Sequence, residues 1–218
     1  MKVLNNNELQ DGANIYVVIG SVGTGKTSLV NSHEGRKLVL SFDASYSTLK
    51  VTDDLTVVSN ITSQELLNTQ KFLADLTKLS QGYDLVVFDN VSALAGNMIY
   101  DLTQGLAGSN RDGRAAYKSV QDVLHGIANW SLTFKGDVLF TAWSKLVDGF
   151  EVANLNDTAF DKIAGFAKVV GRTYVNGEYM VALQPSLEGV AKNRINKIDK
   201  TKNANFWEAV KYKEEEVK

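Results

Sequence analysis

Residues 20–27 read Gly20-Ser21-Val22-Gly23-Thr24-Gly25-Lys26-Thr27, and the flanking chain is patterned to hold that octet between a strand and a helix. Ahead of it run Asn14-Ile15-Tyr16-Val17-Val18-Ile19, apolar almost throughout, and behind it come Thr27-Ser28-Leu29-Val30-Asn31, which can open a helix. Glycines lack a Cβ, so the backbone can take positive φ and turn successive N–H groups inward as a nest for anionic oxygens. A helix start adds free N–H groups and the positive end of its dipole. The G-x-x-x-x-G-K-[ST] spacing in this setting predicts a phosphate cradle. Its residues are Gly20, Ser21, Val22, Gly23, Thr24, Gly25, Lys26, Thr27 and Ser28. Lys26 is expected to reach the β- and γ-phosphates of a nucleoside triphosphate, and the Thr27 hydroxyl to ligate Mg²⁺.

Such a cradle needs a carboxylate on a neighbouring strand to hold the metal. Leu85-Val86-Val87-Phe88-Asp89 supplies it, because four apolar residues carry Asp89 to the carboxyl edge of a sheet, where ligands sit. Asn90 follows, where many ATPases carry an activating glutamate.

The strands of that sheet are apolar nearly throughout, as in a parallel sheet covered on both faces. They are 14–19, 37–42, 55–58, 84–89 and 137–142. Helix-like stretches lie between them: 63–79, with Thr62 or Ser63 as N-cap, and 114–130, with Tyr117, Val120, Leu124, Ile127 and Trp130 on one core-facing stripe. Further on, 167–175 and 178–183 flank Asn176-Gly177, which predicts an antiparallel hairpin with a type I′ turn. The expected fold is α/β, a mainly parallel central sheet flanked by helices with a C-terminal antiparallel hairpin. Residues 1–13 read as a short extension, 14–205 as the core, and 206–218 as a charged tail containing Glu214-Glu215-Glu216.

Composition excludes several chemistries. The chain has no cysteine and only two histidines, His33 and His125, far apart in sequence. Disulfides, Cys-based zinc sites and a thiol nucleophile are ruled out, and both histidines read as structural or surface residues. No apolar run approaches the roughly 20 residues of a membrane helix, and the N-terminus has no secretory pattern, so a cytoplasmic location is expected. With a net charge of −2, indiscriminate polyanion binding is not expected, although local basic patches can contact nucleic acid.

Several segments in register resemble the RecA-type recombinase core. They are Asp43-Ala44 after the second strand, Asp89-Asn90-Val91-Ser92-Ala93-Leu94, Gly113-Arg114-Ala115-Ala116, the strand 138–142, and Lys192-Asn193-Arg194. The overall length is similar to that of compact single-domain RecA-like ATPases of phage recombination modules. The resemblance spans roughly residues 14–200 and implies ATP and Mg²⁺ as ligands, single-stranded DNA as partner and self-assembly into a ring or filament, in the cytoplasm of an infected bacterial host. A phage single-strand-binding protein is a further partner it implies. The family's water-activating glutamate is matched by Ser45; Asp43, two residues earlier, either substitutes or is a strand-end structural residue. The family's polar γ-phosphate sensor is matched by Trp143 and Ser144. Trp143 cannot accept a hydrogen bond, so Ser144 or Thr141 has to serve. Basic residues matching Lys192 and Arg194 reach in the family across a subunit interface to the neighbour's nucleotide.

Two segments match the family's DNA-binding loops, one near 95–113 and one near 145–162. In them Arg111, Lys145 and the adjoining Arg114 can meet phosphates, and Phe150 can stack on a base. Asn196-Lys197-Ile198-Asp199 matches the N-K-x-D guanine motif, but the run before it is mixed rather than an apolar strand, which favours ATP over GTP. Two rivals to a DNA-stimulated ATPase stay open. One is a nucleotide-dependent scaffold or loader with little turnover, kept alive by Ser45; the other is a P-loop small-molecule kinase.

Overall fold

The computed structural model describes residues 14–104 and 113–211. Ten strands form one sheet: β1 (Asn14–Gly20), β2 (Lys37–Ser41), β3 (Leu55–Val58), β4 (Leu85–Asp89), β5 (Asp137–Val147), β6 (Phe150–Ala153), β7 (Val169–Asn176), β8 (Glu178–Ala182), β9 (Lys192–Asn193) and β10 (Lys200–Lys202). The order is β10-β8-β7-β1-β5-β4-β2-β3, with β6 on β5 and β9 on β7. Strands β7, β1, β5, β4, β2 and β3 are mutually parallel, whereas β8, β10, β6 and β9 pair antiparallel. The expected α/β architecture is the observed one.

Alternation along the strands divides the core in two. Ile15, Val17, Ile19, Leu38, Leu40, Val86, Phe88, Val138 and Phe140 face one side. Tyr16, Val18, Val39, Leu85, Val87 and Leu139 face the other. The first side is covered by α1 (Ser63–Leu67), α2 (Thr69–Leu79), α3 (Val91–Thr103), α4 (Arg114–Ser131) and α5 (Asp157–Ala164). The second is covered by a 3₁₀ helix at Thr27–Ser32 and by α6 (Phe206–Lys211).

Five expectations change. The stretch 63–79 is two helices, broken at Asn68 (φ −80°, ψ 58°), and Thr62 is the N-cap. Its side chain accepts from the Glu65 N–H while the Glu65 carboxylate accepts from the Thr62 N–H, a reciprocal capping box. The helix after the phosphate cradle is only a six-residue 3₁₀ helix. Ser28 Oγ donates to the Gly25 carbonyl and Ser32 Oγ to the Leu29 carbonyl, local bonds that compete with α-helical ones.

The hairpin at 169–182 forms, but its turn is not type I′. Gly177 alone has positive φ (69°), and Asn176 stands opposite Glu178. The segment 206–218 is not simply a charged tail, since Phe206 and Trp207 are buried and α6 closes the second core. The aromatic pair outweighs the neighbouring charges; residues 212–218 lie outside the described part.

The described parts of the two expected DNA-binding segments are mostly regular structure. Residues 95–103 complete α3, which Asn90 caps by accepting from the Ala93 N–H. The remainder, including Gly105, Gly108, Ser109, Asn110 and Arg111, lies outside the described residues. Residues 145–162 are the end of β5, a turn at Asp148-Gly149 with φ 51° and 82°, β6 and most of α5. An Asp-Gly pair with both φ values positive is a type I′ hairpin signal, which the reading of this segment as a loop passed over.

Candidate nucleotide site

The octet 20–27 sits at the carboxyl end of β1, the expected place for a ligand in an open parallel sheet. Gly23 and Gly25 take φ of 79° and 89°, the left-handed geometry that a nest requires. Gly20 is needed for space instead: a Cβ there would stand 2.0 Å from Thr173 Oγ1. Because the helix that follows is short, an anion at this loop would be met by these N–H groups and Lys26 more than by a helix dipole.

Lys26 is 7% exposed and folds back on its own loop, donating to the carbonyls of Gly20 and Ser21 at 2.7 Å each. Burial lowers its pKa from the usual lysine value, against the pull of Asp89, Asp43 and Glu151. The ammonium is satisfied by weak partners that an anion can replace. Next to it a cleft of about 390 Å³ is lined by Val22, Gly23, Gly25, Lys26, Thr27, Ser28, Asp43, Ser45, Asp89, Trp143 and Tyr179, among others.

Asp89 ends β4 at 1% exposure. Thr27 Oγ1 and Ser45 Oγ donate to its Oδ2 at 3.0 and 2.7 Å, and Thr141 Oγ1 donates to Oδ1. Burial raises its pKa, opposed by the hydrogen bonds from Thr141, Ser45 and Thr27, while Asp43 adds to the rise. A buried carboxylate among hydroxyls is a hard oxygen donor set, and it fits Mg²⁺. Among the described residues no group of three or more His, Cys, Asp or Glu is placed to hold a metal by itself.

Strand β5 lies between β1 and β4, so its end emerges between the cradle and Asp89. Of the two sensor candidates, Thr141 is turned to Asp89, whereas Ser144 Oγ lies 3.3 Å from Ser21 Oγ and donates to Glu151. Trp143 lines the cleft. Asp43 accepts from Asn90 Nδ2 at 2.9 Å and from the Ser45 N–H at 3.0 Å while facing the cleft.

Lys192 and Arg194 lie apart from this cluster in their own chain. Lys192 Nζ donates to the Ala164 carbonyl at the end of α5 at 2.7 Å, and burial lowers its pKa, with Arg194 adding to the drop. Arg194 is exposed. The N-K-x-D match is structural: Asn196 is buried, its Nδ2 donating to the Ala209 carbonyl at 2.8 Å.

Sequence reasoning missed the supports of the cradle. Thr173 Oγ1 is 2.7 Å from Thr24 Oγ1, Asn203 Nδ2 donates to the Gly25 carbonyl at 3.0 Å, and Trp207 Nε1 donates to the Leu29 carbonyl at 2.8 Å. It also missed Arg172, whose buried guanidinium pairs with Glu151 at 3.0 Å and Glu188 at 2.7 Å. Only the apolar Phe206-Trp207 pair carried a readable signal; Thr173 and Arg172 depend on strand register, and Asn203 on the turn that follows β10.

A search of curated proteins finds no match. A family model described as an AAA domain matches residues 13–195, which takes in the cradle, Asp89 and the strand between them. The chain therefore belongs to this AAA-domain family, nucleotide-binding ATPases with a P-loop NTPase fold.

Proposed function

We propose that this protein is a Mg²⁺-dependent ATPase of a phage, working as an oligomer on single-stranded DNA during homologous recombination or replication in the cytoplasm of the infected host. The observation that carries the reading is the cleft in which Lys26, Thr27, Asp89 and Asp43 converge, with Ser144 beside the cradle. Lys26 exchanges its two carbonyl partners for phosphate oxygens, and the nest at 23–27 holds the β-phosphate through backbone N–H groups. Thr27 and Asp89 would hold Mg²⁺, which would supply neutralising charge to the phosphates. Asp43 faces the cleft with both oxygens already accepting hydrogen bonds, so its carboxylate is fixed to orient a water. Ser144 reads the γ-phosphate end.

The DNA reading is supported by the resemblance and by the hairpin that continues from Ser144. Its tip exposes Lys145, Leu146 (73%), Val147 (48%) and Phe150 (37%), a cation beside apolar side chains on which bases can stack. Arg194, exposed, is the better candidate to complete a neighbour's site, because Lys192 serves its own helix end. A phage single-strand-binding protein is a further partner of this reading. The second reading, a scaffold that holds ATP with little turnover, is favoured by Ser45, whose hydroxyl is bonded to Asp89 where a base would be needed. The kinase reading loses ground: Arg172 is locked in ion pairs and Arg36 lies over Tyr83 at 4.8 Å.

The test is ATP hydrolysis with and without single-stranded DNA, on material whose assembly is followed by light scattering. Turnover that rises with DNA and with protein concentration is expected. Turnover indifferent to both contradicts the proposal, and a phosphorylated small acceptor in place of free phosphate identifies a kinase.

A further inference from the structure

Ser45 occupies the position at which the resemblance puts an activating glutamate, and its side chain points elsewhere. Its Oγ donates to Asp89 Oδ2 at 2.7 Å and lies 3.4 Å from Thr27 Oγ1, which donates to the same Oδ2 at 3.0 Å. Three hard oxygen donors thus form a triangle on the wall of the nucleotide cleft.

Two features hold Ser45 in this triangle. Ala44 takes φ 59° and ψ 20°, a left-handed conformation uncommon for a residue with a Cβ, and it turns the chain back toward Asp89. The Ser45 N–H donates to Asp43 Oδ1 at 3.0 Å, and Asp43 is anchored in turn by Asn90 Nδ2 at 2.9 Å. Unusual backbone kept in place by surrounding contacts is characteristic of ligand clamps.

We propose that Ser45 is a metal-positioning residue, its hydroxyl serving with Thr27 and Asp89 as the third protein oxygen of the Mg²⁺ site, in the place where a glutamate would orient water. The proposal rests on the reading that a Mg²⁺-nucleotide occupies this cleft. It explains the substitution chemically. A glutamate at position 45 would bring a second negative charge to the wall that holds Asp89, whereas serine brings a neutral oxygen. Serine thus gives the cation a further oxygen and leaves the orientation of water to Asp43.

The test is equilibrium binding of a fluorescent ATP analogue, titrated with Mg²⁺ or in EDTA, for wild type, Ser45→Ala, Ser45→Thr and Ser45→Glu. Wild type should bind more tightly with Mg²⁺. Ser45→Ala should lose about tenfold of that gain, equivalent to about 1.4 kcal/mol, while keeping its affinity in EDTA; Ser45→Thr, which restores the hydroxyl, should recover the gain. Ser45→Glu should lose the gain without acquiring fast turnover. An unchanged Mg²⁺ response in Ser45→Ala overturns the proposal alone, as does a Ser45→Glu variant with raised turnover and intact Mg²⁺-dependent binding. A wild type indifferent to Mg²⁺ overturns both the proposal and the reading beneath it.

Discussion

Arg172 carries a full positive charge at 6% exposure, which is tolerable only because Glu151 and Glu188 meet its two terminal nitrogens. The two partners differ: the Glu151 side chain is 13% exposed and that of Glu188 76%. Removing the cation strands a largely buried carboxylate, so Arg172→Met should destabilise by about 3–5 kcal/mol. Glu188→Ala, at the solvent side, should cost at most about 1 kcal/mol. Urea unfolding of the two variants separates them, and equal losses would show that the pairs are not ranked by burial. Gly25 makes a second prediction at this scale. Its φ is 89°, and a Cβ would stand 2.4 Å from Asn203 Nδ2 and 3.1 Å from Tyr179. Gly25→Ala should therefore cost at least the roughly 1–2 kcal/mol of left-handed backbone, and it should weaken nucleotide binding by deforming the nest.

At the scale of elements, the nucleotide cradle is braced by a piece of chain far away in sequence. Helix α6 and the turn before it reach the P-loop region: Asn203 donates to the Gly25 carbonyl and accepts from Ser32 Oγ at its own carbonyl, and Trp207 donates to the Leu29 carbonyl. Trp207 is 5% exposed and packs edge-on against Tyr16 and His33, so Trp207→Ala should cost about 3–5 kcal/mol, read by thermal unfolding. It should also loosen the 3₁₀ helix at 27–32, which hydrogen exchange would register as lost protection there. The parallel strands were legible because continuous apolar runs have few other uses, and Lys26, Thr27 and Asp89 were legible because cradle and strand-end acid have fixed places in such a sheet. Thr173, Glu151 and Asn203 were not. Their roles come from which strand neighbours β1 and from hairpin register, and neither leaves a local pattern. The β5–β6 hairpin was hidden differently, since Asp148-Gly149 announced it but the polar segment around it read as a loop.

For the molecule as a whole, the two edges of the sheet respond to different variables. At the edge away from the nucleotide, Asp137 accepts from His33 at 2.9 Å and pairs with Lys211 at 2.8 Å. Burial acts to raise its pKa, but these partners prevail and hold the carboxyl below the usual aspartate value. Its folded pKa is depressed, so its contribution is complete above the unfolded aspartate pKa of about 3.9 and is lost as pH falls through the folded value. Urea midpoints measured from pH 6 to pH 3 should fall more steeply for wild type than for Asp137→Asn. At the nucleotide edge the variable under the proposed function is assembly. If Arg194 completes a neighbour's site, Arg194→Ala should keep ATP binding and lose turnover, and mixing it with Lys26→Ala should raise turnover above either variant alone. No rise on mixing would place Arg194 outside a shared site.

The proposed function depends on a nucleotide held by the cradle at 20–27. The most direct measurement is calorimetric titration of ATP with Mg²⁺ into wild type and Lys26→Ala. Saturable binding by wild type is predicted, weakened roughly ten- to hundredfold in the variant by loss of a charged hydrogen-bond donor. Absence of saturable binding, or an affinity indifferent to Lys26, would contradict the account.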